Sequence, residues 1–242
     1  HEATEAFERG DANLNKETAD NLELSLDRHV GRWTWSAAVF YTQHKDYIFS
    51  REVDCNLNAD DPGACNPDGT ADRVLDDGTF DAVNGEFKLL DNVQADAAFY
   101  GAEAETRFAL IEKGPLKLGT RVFADSVRGE LKSGGDLPRV TPTRIGAGLD
   151  ATMGAFTGSV DVTGVRDQRR VSSLETPTAG FTLLAADVGY AISLGGERAL
   201  TVYLRGRNLL DEEVRNHVSF IKDAVTAPGR AFFGGVRFDF GA

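Results

Sequence analysis

The run Tyr100-Gly101-Ala102-Glu103-Ala104-Glu105-Thr106-Arg107-Phe108, the break from Glu112 to Pro115, and the return Leu116-Lys117-Leu118-Gly119-Thr120-Arg121-Val122 decide the fold. Tyr100, Ala102, Ala104, Thr106 and Phe108 fall on one side of the first run, and Gly101, Glu103, Glu105 and Arg107 fall on the other. In the return, Leu116, Leu118, Thr120, Val122 and Ala124 oppose Lys117, Gly119, Arg121 and Asp125. A period of two is strand spacing, and a short polar break between two such runs is a hairpin turn.

The same pattern recurs in both directions. Leu22, Leu24 and Leu26 alternate with Glu23, Ser25 and Asp27; after a link from His29 to Arg32, Trp33, Trp35, Ala37, Val39 and Tyr41 alternate with small and polar residues. Downstream, Ile145 to Ala151 and Phe156 to Val162 make a hairpin through Met153 to Ala155. Leu184 to Ile192 and Val202 to Gly206 make another through Gly195 and Gly196, and Phe232, Gly234, Val236, Phe238 and Phe240 form a last strand. The reading is all-β, with about nine antiparallel strands.

Links near residues 30, 113, 154 and 196 are short, whereas those at 50–86, 132–142, 173–180 and 210–230 are longer and polar. Alternating short turns and long loops is the outer-membrane barrel arrangement, and a soluble sandwich has no reason to sort its loops this way. The charged residues Glu103, Glu105, Arg107, Arg121, Asp125, Asp161, Asp187, Arg205, Arg207, Arg237 and Asp239 all share a strand face with one another, opposite apolar neighbours. A wide barrel would turn that face toward a wet lumen. Trp33 and Trp35, beside a short turn, suit an interfacial girdle; core aromatics are the alternative.

Composition narrows the partners. The 242 residues carry a formal charge of -12, which argues against a nucleic-acid surface. The segment from Ser50 to Glu86 holds ten carboxylates against Arg51 and Arg73, two thirds of that net charge, so cations suit this chain better than phosphates. No apolar run reaches eighteen residues, which excludes a membrane-spanning helix but not a spanning strand. Cys55 and Cys65 sit in the acidic segment at a spacing that suits a local disulfide, worth about 2.5 to 3 kcal/mol by chain entropy; two free loop thiols are the alternative.

Three stretches resemble TonB-dependent outer-membrane receptors. Gly10-Asp11-Ala12-Asn13-Leu14-Asn15-Lys16-Glu17 followed by Asn21-Leu22-Glu23 is similar to the family's Gly-Asn-Pro-Asn-Leu-Lys-Pro-Glu lead-in, with Ala12 and Asn15 replacing the prolines. Phe99-Tyr100-Gly101-Ala102-Glu103 is similar to a family strand start. Asn208-Leu209-Leu210-Asp211, Pro228-Gly229-Arg230 and the aromatic Phe238 to Phe240 resemble the final hairpin and assembly signal, although Gly241 and Ala242 extend past the usual aromatic end. His1 to Phe7 and Arg215-Asn216-His217-Val218-Ser219-Phe220 most resemble zinc-importing members.

The resemblance implies a transmembrane β-barrel of 22 strands, of which residues 1–242 supply about the last nine, with 50–86 as a long acidic extracellular loop. It implies a bacterial outer-membrane location, a plug domain and earlier strands encoded outside these residues, and active import of a scarce nutrient. The expected partners are outer-membrane lipid, a metal or metal-complex ligand and, through the plug, a TonB-type energy-coupling complex; nucleic acid is not among them. The alternatives are a passive porin and a soluble all-β binding or adhesion domain.

The sequence offers no catalytic constellation and no resident cofactor, and zinc is the transported candidate. Histidine and carboxylates suit Zn²⁺, which places His1, Glu2 and Glu5 in a partial shell, with His217 in another expected loop; surface loop polarity is the plainer reading. His44 and Asp46 on one strand face read as an acid/base pair or as two lumen-facing polar residues. Asn66, Asp68, Gly69 and Asp72 lack the full spacing of a Ca²⁺ loop.

Overall fold

A computed structural model describes residues 6–54, 71–81, 84–196 and 198–240. Among them are eleven strands: β1 (Ala6–Arg9), β2 (Thr18–Arg28), β3 (Trp33–Glu52), β4 (Arg73–Val74), β5 (Phe87–Ile111), β6 (Leu116–Leu131), β7 (Arg144–Met153), β8 (Phe156–Val165), β9 (Phe181–Ser193), β10 (Ala199–Arg207) and β11 (Ala231–Asp239). Nine of them form one antiparallel ladder in the order β11-β10-β9-β8-β7-β6-β5-β3-β2, open at β2 and β11. These nine are the strands expected from alternation, and the sheet is a partial barrel rather than a closed one.

Register carries the two-face pattern across the whole ladder. On one face Leu24 pairs with Val39 and Val39 with Ala102; Val122 pairs with Ala147, Ala147 with Val162 and Val162 with Leu184; Tyr190 pairs with Val202 and Val202 with Val236. This face stays open: Leu22 is 74% exposed, Ile145 62% and Val236 65%. Among the described residues thirty-three large apolar side chains are exposed, while ten hydrophobic residues are buried. Most of the exposed ones lie on this face, where each would forgo up to about 1.5 to 3 kcal/mol of burial in water, so the face suits lipid. Among the described residues no second sheet packs on it, since substantial contacts join only hydrogen-bonded neighbours. Those residues do not form a sandwich.

Trp33 is 51% exposed on the apolar face and opposite Phe108, with its indole N–H donated to Thr106 Oγ1 at 2.8 Å. Phe156 and Tyr190, ring centroids 4.5 Å apart, and Phe238 share the short-turn end of this face. Tyr41 stacks on Tyr100 eight residues above Trp33. Eight residues of tilted strand span roughly 20 to 26 Å, close to the apolar band of an outer-membrane barrel. The aromatics are a girdle and not a core.

β3 and β5, at 20 and 25 residues, are about twice the 9 to 11 residues that a membrane requires. β5 therefore begins at Phe87 and not near Tyr100, where alternation first becomes legible. The protruding half of β5 takes two further strands: β1 pairs with it in parallel through Ala6 to Arg9, and β4 in antiparallel. Val53, Val74 and Leu89 form a small core there with Phe7 and Phe87. A second core holds Ala97, Leu137 and Val140, so the loop after β6 folds back onto the strands. The buried hydrophobic residues all lie at this long-loop end.

Candidate functional site: the charged wall and its long-loop rim

The second face of the ladder is charged and solvated. Arg107 and Arg121 stand directly opposite each other across β5 and β6, a like-charge pairing that costs energy unless neutralised. Glu105 does so, 2.7 Å from Arg107 and 3.7 Å from Arg121, and Asp161 holds the other side of Arg121 at 3.4 Å. That last pair spans β7, where Gly148 lies between; a Cβ at this position would stand 2.5 Å from Asp161 Oδ1. Asp187 likewise takes Arg205 at 3.1 Å and Arg207 at 2.9 Å, and Arg144 meets Asp125 at 3.0 Å. Exposed pairs of this kind contribute about 0 to 1 kcal/mol each, so their role is to solvate and polarise the wall rather than to hold it.

Small residues on this face give room for rings: Phe40 lies over Gly101 and Phe99 over Gly129. Between the rings and the ion pairs lies a cleft of about 770 Å³ lined by Glu23, Asp27, Glu103, Glu105 and Asp125 against Arg121 and Arg144. Five carboxylates against two arginines make it a cation-attracting surface. Toward the long loops a second cleft, about 660 Å³, carries Arg128, Arg166, Arg169 and Arg170 against Asp136 and Asp167, and its charge is reversed.

At the rim, Asn208 shows why the final-hairpin motif has its composition. Its backbone sits at φ +48°, which Asn tolerates, and its side chain is buried. The amide Nδ2 donates to the carbonyls of Glu212 at 2.9 Å and Pro228 at 3.2 Å, and Oδ1 accepts the Glu212 N–H at 3.0 Å. Asp211 Oδ1 accepts the Arg230 N–H at 2.8 Å. Two short side chains thus close both ends of the 208–230 loop.

Within that loop His217 is 2% exposed, against the surface position expected for it. Its Nδ1 lies 3.0 Å from Thr178 Oγ1 and 3.5 Å from Lys222 Nζ, and its Nε2 faces Glu175 Oε2 at 3.9 Å. Burial, and then the Lys222 ammonium, push its pKa below the usual histidine value; Glu175 and Asp223 oppose them. Glu175 comes from another loop and Lys222 from five residues away, and no sequence pattern announced either. The Nδ1 contacts and the neighbouring ammonium make His217 a loop clamp and a poor cation ligand.

The other sites named from the sequence divide in two. His1, Glu2 and Glu5, and Cys55 and Cys65, lie outside the described residues, as do Asn66, Asp68 and Gly69. His44 pairs not with Asp46 but with Glu17, Nδ1 to Oε1 at 3.0 Å, and packs edge-on against Tyr47 and Phe99. A bulge between His44 and Tyr47, with Asp46 at φ +57°, takes Asp46 off the shared face. His29 lies at a short turn beside Asp27, 2.9 Å away. Among the described residues no group of three or more histidines, cysteines or carboxylates converges to hold a metal.

Known structures carry the same architecture. The copper transporter OprC superposes with a TM-score of 0.68 at 17% identity, over 96% of this chain and 34% of its own. The FrpB iron transporter from Neisseria meningitidis gives 0.60 at 15% identity, over 96% and 32%. The ferric enterobactin receptor PfeA from Pseudomonas aeruginosa gives 0.59 at 17%, over 96% and 32%. At these identities the likeness is one of fold, and the chain spans about a third of the length of these proteins. The family model described as TonB dependent receptor-like, beta-barrel matches residues 1–209. With most of its length matched and its two faces divided between lipid and water, the chain belongs to the TonB-dependent receptor β-barrel family.

Proposed function

We propose that this chain is the C-terminal wall of an outer-membrane receptor that imports a scarce metal or metal complex, driven through TonB by a plug domain encoded elsewhere in the polypeptide. The observation that carries the reading is the acidic lumenal cleft, where Glu23, Asp27, Glu103, Glu105 and Asp125 outnumber Arg121 and Arg144. Cations entering such a cleft are concentrated by the summed potential of its carboxylates. The named copper and iron transporters of the same architecture support a metal cargo. The test is uptake by cells carrying the full-length receptor: import that stops when TonB is deleted supports active transport, and import that continues unchanged makes the protein a passive porin.

Within that reading we propose zinc as the cargo, with His1, Glu2 and Glu5 as a partial shell completed by other loops or the plug. Ligation needs neutral imidazole, so affinity falls as pH drops through about 6.5. Titration of the full-length receptor with zinc, copper and iron decides the metal. His1→Ala should weaken zinc binding and leave assembly intact; equal zinc affinities remove His1 from the site, and preference for another metal removes zinc.

A further inference from the structure

Three extracellular loops, 132–143, 166–180 and 208–230, meet at one carboxylate. Glu175 has an 8% exposed side chain; Oε1 accepts the Arg139 N–H at 2.9 Å and lies 3.6 Å from Lys222 Nζ, while Oε2 faces His217. Neither Glu175 Oε2 nor His217 Nε2 has a hydrogen-bond partner among the described residues. The same loops are joined a second time, by the Arg139 guanidinium 3.8 Å from the Phe220 ring centroid and by Thr176 donating to Asp223 Oδ1 at 2.6 Å. Arg139 holds φ at +58°, a strained choice for a long side chain that the two contacts over-determine. Together the loops wall one side of a cavity of about 480 Å³, whose other side is Ala6, Glu8, Ser50, Lys88 and Leu90 of the protruding sheet.

We propose that this cluster is a proton-sensitive latch, joining the three loops into one body over the long-loop end of the lumen at neutral pH and releasing them together on acidification. His217 is the trigger. Its Nδ1 serves as acceptor for Thr178 O–H and lies near the Lys222 ammonium, so a proton there removes the acceptor and sets two positive charges 3.5 Å apart in a buried site. Glu175 across Nε2, and Asp223, favour the proton, while Lys222 and burial oppose it and prevail. Glu8 and Lys88 face the latch only from across the cavity, and Lys88 is held by Glu52 at 2.7 Å. Because the closed-state pKa is lowered from 6.5, the latch holds fully above that value and weakens as pH falls below it.

Hydrogen–deuterium exchange of the full-length receptor in detergent micelles, referenced to intrinsic exchange at each pH, reads the latch directly. Below pH 6.5 protection in all three loops should fall together, by up to about tenfold per pH unit for one proton, while the ladder amides stay protected. His217→Asn supplies an uncharged amide near the Nδ1 position and should abolish the pH dependence. Should that variant leave the loops unprotected at every pH, Lys222→Met decides: removing the like charge raises the closed-state pKa of His217, so the loss of protection on acidification must be smaller than in the wild type. Loops that lose protection at different pH values, a wild-type profile independent of pH, a His217→Asn profile matching wild type, or a Lys222→Met loss of protection as large as wild type would each overturn the proposal.

Discussion

The ladder leaves Leu22, Ile145 and Val236 more than half exposed, whereas the loop end buries Leu137 completely and leaves His217 2% and Lys222 4% exposed. One chain therefore has two solvents. In the ladder, hydrophobic residues are satisfied by lipid and the charged face by water, so strand pairing and alternation suffice. At the loop end both sides are wet, and order there depends on small cores and on buried polar contacts between distant residues. The difference teaches that a mutation must be judged by which solvent its side chain meets.

Val160→Arg tests the contrast most severely. Val160 is paired with Leu149 and Ala186 on the lipid face, and an arginine there should cost roughly 2 to 4 kcal/mol near the midplane, seen as failed assembly or a lowered unfolding midpoint of the full-length receptor. A neutral effect would mean that the face does not meet lipid.

In the acidic segment we propose that Cys55 and Cys65 are joined. Reduction, or a Cys55→Ser and Cys65→Ser double variant, should then loosen that loop by about 2.5 to 3 kcal/mol without touching the ladder. Mass spectrometry of non-reduced peptides is the check; two free thiols would contradict the pairing.

Asn208→Ala belongs to the loop end. It removes three hydrogen bonds at a buried, positive-φ position and should cost about 1 to 3 kcal/mol, with local proteolysis of the 208–230 loop as the readout. Asp161→Asn, next to Val160 but facing water, should change stability by less than about 1 kcal/mol, because its pair with Arg121, with side chains 34% and 39% exposed, is partly screened by water.

The same contrast explains what the sequence disclosed. The nine ladder strands were legible because each has one apolar and one polar face, and the turn lengths told the two ends apart. β1 was not, since Ala6 to Arg9 is too short to alternate and pairs in parallel with residues 88–91. The protruding half of β5 is not legible because both of its faces are covered by protein or water, which erases the period of two. His44 and Asp46 do not share the face that alternation implies, because a single bulge changes every later facing, and bulges leave little trace in composition. Glu175 could not have been named at all: its importance lies in contacts with residues 36, 42 and 47 positions away in the latch region, such as Arg139 at the first of these separations, His217 at the second and Lys222 at the third.

The central claim is that one face of this sheet meets lipid and the other a wet lumen, and neighbouring residues 160 and 161 test it at a single strand. Spin labels placed singly at these positions in the full-length receptor, reconstituted in lipid, can be read by collision with oxygen and with a water-soluble paramagnet. The label at 160 should collide with oxygen and be shielded from the aqueous reagent, and the label at 161 should do the reverse. The opposite result, with 161 in lipid and 160 in water, would contradict the register and with it the assignment of the lumen.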